Sequence, residues 1–319
     1  MIKSISSVAV VGAGYMGGGI AQSFALAGLP VVIADVSAEA TQAAYARLLA
    51  EAREFEDAGL YDPGATETIR ANLSTAESIE EAVADADFVE EAVFESVEVK
   101  HDVLGRISAA ARPDAVIGSN TSTIPARVLV EAVANPERFL TVHFSNPAPF
   151  IPGVELVLSE QTDPAVVPVV RELLARADRQ GALVADVPGF VLNRLQYVLL
   201  KEAMSIAEEG IASPEDIDTV VRTTFGFRLG FFGPFAIADQ AGLDVYAGGF
   251  RTFEENFGER LATPDLIKDA VAGDRKGVKN GRGLLRDYTP EQVKALVAYR
   301  NKAYGEMGRL LRDLGPAPA

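Results

Sequence analysis

Val8-Ala9-Val10-Val11 runs directly into Gly12-Ala13-Gly14-Tyr15-Met16-Gly17, and a helical apolar segment, Ile20 to Leu26, follows. The short apolar run reads as a buried strand bounded by a turn. Gly12 permits the tight turn, Gly14 lets the backbone approach an anionic ligand, and Gly17 lets helix and strand pack closely. Asp35 ends the second apolar run, Val31 to Ala34, where a carboxylate can accept from a ribose hydroxyl. Together these features predict a dinucleotide whose pyrophosphate lies at the positive end of the helix, with Tyr15 and Met16 in its first turn. The competing reading is a ligand-free glycine turn beside a capping aspartate. Asp35 would repel a 2′-phosphate, and Val36-Ser37-Ala38 offers no arginine to accept one, so NAD is preferred to NADP.

Outward from this turn, residues 7–11, 31–34, 88–93, 115–118, 140–144, 154–158 and 182–185 read as strands. Most are separated by helical lengths of chain, the pattern of a parallel sheet covered by helices. Residues 38–81 read as one extended helix or a helical pair. After Val187-Pro188-Gly189 nearly every periodic segment is helical, with marked starts at Ser213-Pro214-Glu215-Asp216 and Thr289-Pro290-Glu291-Gln292. The expected architecture is α/β: a Rossmann-like, doubly wound NAD-binding domain over 1–187, then an all-helical domain over 188–319.

The bulk numbers narrow the possible partners. The 319 residues suit two domains, and 48% hydrophobic with 23% charged residues is an ordinary globular balance. A net charge of −16 opposes nucleic acid and anionic membrane, whereas a local cradle of backbone amides can still hold a small phosphorylated ligand. Cysteine is absent, which removes thiolate metal sites and suits a reducing, cytoplasmic setting. The apolar N-terminal run leads into glycines rather than a cleavage site, and no run is long enough for a membrane helix. The expected partner is a small-molecule substrate, with no metal.

Two histidines are present. His101 lies in a charged helical run and reads as a solvated surface residue. His143 closes an apolar strand and opens His143-Phe144-Ser145-Asn146-Pro147, at the strand end where open α/β sheets bind ligands. The chain here resembles the L-3-hydroxyacyl-CoA dehydrogenases nearly end to end. The resemblance rests on the glycine turn, Ser119-Asn120-Thr121-Ser122, the His143 motif, Glu155, and Pro188-Gly189-Phe190-Val191-Leu192-Asn193-Arg194, in order and in register.

The resemblance implies that His143 is the general base for the substrate hydroxyl and that Glu155 holds its tautomer. It implies that Ser122 and Asn193 hydrogen-bond the reacting oxygen or its neighbours, and that Asn146 sits near the nicotinamide. Glu95, Lys100 and Lys279 match positions that contact cofactor or substrate, and the helical domain forms a homodimer. The chemistry suits these roles, because hydride leaves carbon readily only as the attached oxygen loses its proton. Histidine can both accept and return that proton near neutral pH. Plainer readings stand beside each role: Ser122 or Asn193 as helix caps, Glu155 as a strand-face carboxylate, Lys279 as a loop lysine.

The resemblance departs where CoA's phosphates would be met, since Glu51-Ala52-Arg53-Glu54-Phe55-Glu56-Asp57 is acidic. Pro149-Phe150-Ile151-Pro152 and the segment Phe225 to Phe232 look closer to relatives that oxidise small free hydroxy acids or carboxylated ring alcohols. The expected substrate is of that kind, with a hydroxyacyl-CoA as the alternative. Two rival classes share the glycine turn: β-hydroxyacid dehydrogenases with a lysine base, and NAD-binding proteins without catalysis.

Overall fold

A computed structural model describes residues 3–315. Its contacts divide the chain into two units, Met1–Val198 and Leu199–Ala319. Among the described residues the first unit holds eight strands: β1 (Val8–Val11), β2 (Val31–Ala34), β3 (Leu73–Thr75), β4 (Phe88–Glu91), β5 (Val116–Ser119), β6 (Phe139–Phe144), β7 (Gly153–Val157) and β8 (Gln180–Val184). They form one sheet in the order β3-β2-β1-β4-β5-β6-β7-β8. Helices α1 (Tyr15–Leu26), α2 (Ala38–Asp57), α3 (Ala65–Asn72), α4 (Ile79–Val83), α5 (Val97–Ala110), α6 (Ala126–Leu129) and α7 (Val166–Arg176) connect them. Parallel strands require such crossovers, and their two-sided burial explains the unbroken apolar runs. One core gathers Ile20, Phe24, Phe88 and Phe144; another gathers Val89, Leu104, Ile107 and Phe139.

Two sequence expectations need correction. Residues 38–81 are not helical throughout, because α3 runs straight into the edge strand β3, three residues being too few to show a period of two. The sheet is not wholly parallel either. Strand β7 pairs antiparallel with β6, and β8 follows β7 in parallel.

Helix α8 (Leu192–Glu208) begins in the first unit and crosses the division after Val198. Its approach stays tied to the sheet, because Phe190 is fully buried in the core. The second unit contains α9 (Pro214–Thr223), α10 (Phe225–Leu229), α11 (Pro234–Ala241), α12 (Leu243–Phe257), α13 (Asp265–Ala272) and α14 (Pro290–Leu314). The expected starts are there: Ser213 accepts from the Asp216 amide, and Thr289 forms a capping box with Gln292. Tyr304 meets the rings of Phe227, Phe231 and Phe232, which fixes α14 on this unit.

Two features of the first unit yield predictions. A methyl group at Gly17 would overlap the carbonyl oxygen of Gly12, whereas the space beside Gly14 is open. Gly17→Ala should therefore destabilise the fold by about 1–3 kcal/mol, and Gly14→Ala should leave the melting temperature nearly unchanged. Equal shifts in thermal unfolding would contradict this packing.

Glu90 is fully buried on β4, and neither of its carboxyl oxygens has a hydrogen-bond partner. Burial first, then the neighbouring Glu91 charge, push its carboxyl well above the usual range against the pull of Lys100. A folded value above the unfolded one means that folding takes up a proton. That stabilising contribution is complete below the ordinary carboxyl range and declines as pH rises through it. Urea unfolding of Glu90→Gln from pH 4 to pH 8 should show stability rising relative to wild type, by up to about 1.4 kcal/mol per pH unit. Parallel stability curves would refute a neutral Glu90.

Candidate active site

Antiparallel pairing of β6 with β7 sets His143 directly opposite Glu155. Both are buried, and His143 Nδ1 lies 2.9 Å from Glu155 Oε2. A carboxylate can only accept, so Nδ1 carries the proton, and in the neutral form of the ring Nε2 presents a lone pair. The Ser122 hydroxyl stands 3.2 Å from Nε2. The second Glu155 oxygen accepts from the backbone N–H groups of Val191 and Leu192, each at 2.9 Å, at the start of α8. One buried carboxylate thus orients the imidazole and satisfies a helix terminus.

The turn before α8 makes this possible. Gly189 has φ +75° and Phe190 φ +47°, a left-handed conformation that is costly for a phenylalanine. Burial of the Phe190 ring, 5.7 Å from the His143 ring, holds it there. Asn193 lies inside α8 rather than at its cap, and its amide donates to the Ser122 carbonyl at 3.2 Å. Ser122 does not cap α6 either, since Pro125 occupies that place.

Beneath Ser122 lies an ionic layer that runs from the buried Glu91 and Lys100 out to the exposed Glu95. Glu95 Oε1 accepts from the Thr121 hydroxyl at 2.7 Å and from the Ser122 and Thr123 amides at 2.9 and 3.0 Å. Burial would raise the Glu95 carboxyl, but the Thr121 hydroxyl, the Lys100 charge and these amides outweigh it and hold it below the ordinary range. Lys100 has no exposed surface; its ammonium sits 2.8 Å from Glu91 and 3.5 Å from Glu95. The expectation that Lys100 touches cofactor or substrate is therefore corrected: its charge is spent inside the protein, positioning Glu95. Sequence reading missed Glu91, whose other oxygen accepts from Ser119 at 2.5 Å. Two adjacent glutamates in an apolar run were the available signal.

His143, Ser122, Asn193, Asn146, Glu95 and Met16 line one cleft of about 740 Å³. Gly12, Gly14 and Asp35 line a second of about 440 Å³, and Ala92, Val93 and Phe94 border both. Two clefts meeting at the end of β4 fit the two halves of a dinucleotide. The α1 N-terminus has no side-chain cap, so its amides are open to a pyrophosphate at Gly14. Asp35 Oδ2 accepts from the Ala13 amide at 2.8 Å, which also fixes the turn. Arg47, unmarked by any motif, donates to the Ala13 carbonyl at 2.7 Å from the α2 side. Tyr15 is exposed at the helix start.

Two expected features lie elsewhere. His101 is half-buried, with Nε2 2.8 Å from the Val128 carbonyl, so it is not the solvated residue expected. Lys279 belongs to the second unit and pairs there with Asp244 at 2.8 Å. No group of metal-ligating side chains is found among the described residues.

Comparison with known proteins gives a consistent result. Residues 7–187 match the family model of the 3-hydroxyacyl-CoA dehydrogenase NAD binding domain, and residues 189–287 that of the 3-hydroxyacyl-CoA dehydrogenase C-terminal domain. A 5-formyl-3-hydroxy-2-methylpyridine 4-carboxylate 5-dehydrogenase from Mesorhizobium japonicum is 35% identical, over 96% of this chain and 98% of its own. A solved structure of a dehydrogenase of that activity, described as an NAD+-dependent dismutase, is 34% identical with a TM-score of 0.71, covering 97% of this chain and 99% of its own. A solved 3-hydroxyacyl-CoA dehydrogenase from Archaeoglobus fulgidus is 32% identical with a TM-score of 0.79, over 97% and 99%. The chain belongs to the 3-hydroxyacyl-CoA dehydrogenase family of NAD-dependent oxidoreductases acting on CH–OH groups.

Proposed function

We propose that this enzyme transfers hydride between NAD and the hydroxyl-bearing carbon of a small carboxylated alcohol or hydroxy acid, with His143 as the general base. The observation that carries the reading is the buried Glu155–His143–Ser122 chain, whose Nε2 end lines the larger cleft. In oxidation Nε2 accepts the hydroxyl proton, and the Glu155 carboxylate stabilises the imidazolium that forms. Bound NAD supplies the hydride acceptor. Ser122 and Asn193 orient the reacting oxygen, and Asn146 stands at the nicotinamide half. Gly12, Gly14, Tyr15, Met16, Gly17 and Asp35 form the dinucleotide seat, with Glu95 at its inner wall.

The substrate class follows from α2 and from the relatives. Carboxylates at Glu51, Glu54 and Asp57 would repel CoA's phosphates, and the two arginines of this stretch are already paired, Arg47 with Glu51 at 2.7 Å and Arg53 with Asp57 at 4.0 Å. The Mesorhizobium relative is named for a pyridine carrying a carboxylate and a formyl group. A hydrated aldehyde offers the same C–H and O–H as an alcohol, so the same base serves both. Hydroxyacyl-CoA is the alternative substrate.

The protein acts as a homodimer through its helical unit. Leu200, Met204, Val220, Val245 and Phe253 are all exposed there, more apolar surface than a solitary soluble unit usually leaves uncovered. No helix is long and apolar enough to cross a membrane among the described residues, and a chain without cysteine suits the cytoplasm.

His143→Gln should lower kcat about 10²- to 10⁴-fold, and Glu155→Gln should also lower it, with NADH binding retained in both. Undiminished turnover in His143→Gln would overturn the base assignment. A screen of free hydroxy acids, carboxylated aromatic alcohols and hydroxyacyl-CoA esters should favour the first two. Sedimentation at micromolar concentration should give a dimer, and Met204→Glu should shift it towards monomer; a wild-type monomer would count against the interface.

A further inference from the structure

Helix α8 carries Asn193 into the cleft, and the residue three positions later returns to the same helix face. That residue is Gln196, which lines the cleft together with His143, Ser122 and Asn193. Some of the polar groups around it are committed. The Asn193 amide donates to the Ser122 carbonyl, and the Asn120 side-chain oxygen accepts from the Phe144 amide. Glu95 Oε1 is saturated by hydroxyl and amide donors from residues 121–123. Gln196 is exposed, and its carboxamide makes no hydrogen bond with another described residue. Phe94, Ile151 and Leu192 supply apolar wall, and no lysine or arginine lines this cleft.

We infer that Gln196 is the specificity-determining residue of the cleft, its carboxamide N–H groups receiving the substrate carboxylate one helical turn beyond the reacting centre. This rests on the substrate reading proposed above. A carboxamide presents two donors to an anion without bringing a charge of its own. An apolar acyl chain in the same place would strip water from the carboxamide and return no hydrogen bond. A site built around such a donor therefore discriminates strongly against ligands that lack the matching acceptor. Anion recognition in this cleft thus falls to neutral donors, and Gln196 is the unpaired one on the α8 wall, whereas Ser145 and Asn146 belong to the loop after His143.

The test compares wild type, Gln196→Leu and Gln196→Glu on 3-(hydroxymethyl)benzoate, on its methyl ester and on 3-hydroxybutyryl-CoA. NADH titration verifies that each variant is folded. In Gln196→Leu the preference for the carboxylate over its ester, as a ratio of kcat/KM, should fall about 10- to 100-fold, mainly through KM. Gln196→Glu should lose more, because two carboxylates would then face each other. Unchanged ratios in both variants, or better use of the carboxylate by Gln196→Glu, would overturn the assignment while leaving the substrate reading intact. A wild-type enzyme that turned over only the CoA ester would overturn the substrate reading and this assignment with it.

Discussion

The Glu155 carboxylate is the point on which the active-site half of the first unit depends. One oxygen fixes the His143 imidazole; the other takes the first free amides of α8. A carboxylate this deep is costly unless each oxygen has a donor, and these partners supply them. Removing it would leave the imidazole without a fixed tautomer and the helix start without an acceptor. The geometry of the base and the path of the chain out of the sheet are therefore one constraint.

That constraint explains the antiparallel strand. A further parallel strand after β6 would need a helical crossover and would bring its neighbours in at a slant. The antiparallel return places residue 155 straight across from residue 143, with only the loop over 145–152 between the strands. The same loop carries Asn146 and Ile151 into the cleft, and Arg179 holds it from behind through the Ala148 and Pro149 carbonyls at 3.1 and 2.7 Å. Catalytic pairing, loop position and cleft wall thus share a few residues of scaffold.

Beneath the site, Glu91, Lys100 and Glu95 form a layer of alternating charge. Its effect at the surface is to present the backbone of residues 121–123 at a fixed height, so the Ser122 hydroxyl meets Nε2 of His143. Glu90, adjacent to Glu91 but pointing to the opposite sheet face, has none of these partners. Neighbouring identical residues on one strand thus meet opposite fates, because side chains alternate faces and only one face carries Lys100.

By itself the sequence determined the glycine turn, the acid after the second strand, the order of most strands, the helical character of the second unit and the residues of the His143 motif. Those features are local: a turn, a period or a cap is written in consecutive residues and needs no distant partner to be recognised. Tertiary structure alone decided the direction of β7, the existence of the three-residue β3, the burial of Lys100, the tether of His101 to Val128 and the commitment of Glu95 to the 121–123 backbone. Each of these depends on residues far apart in the chain meeting in space. A lysine in a helical run has the same spelling whether it faces water or two glutamates, and only packing distinguishes the two.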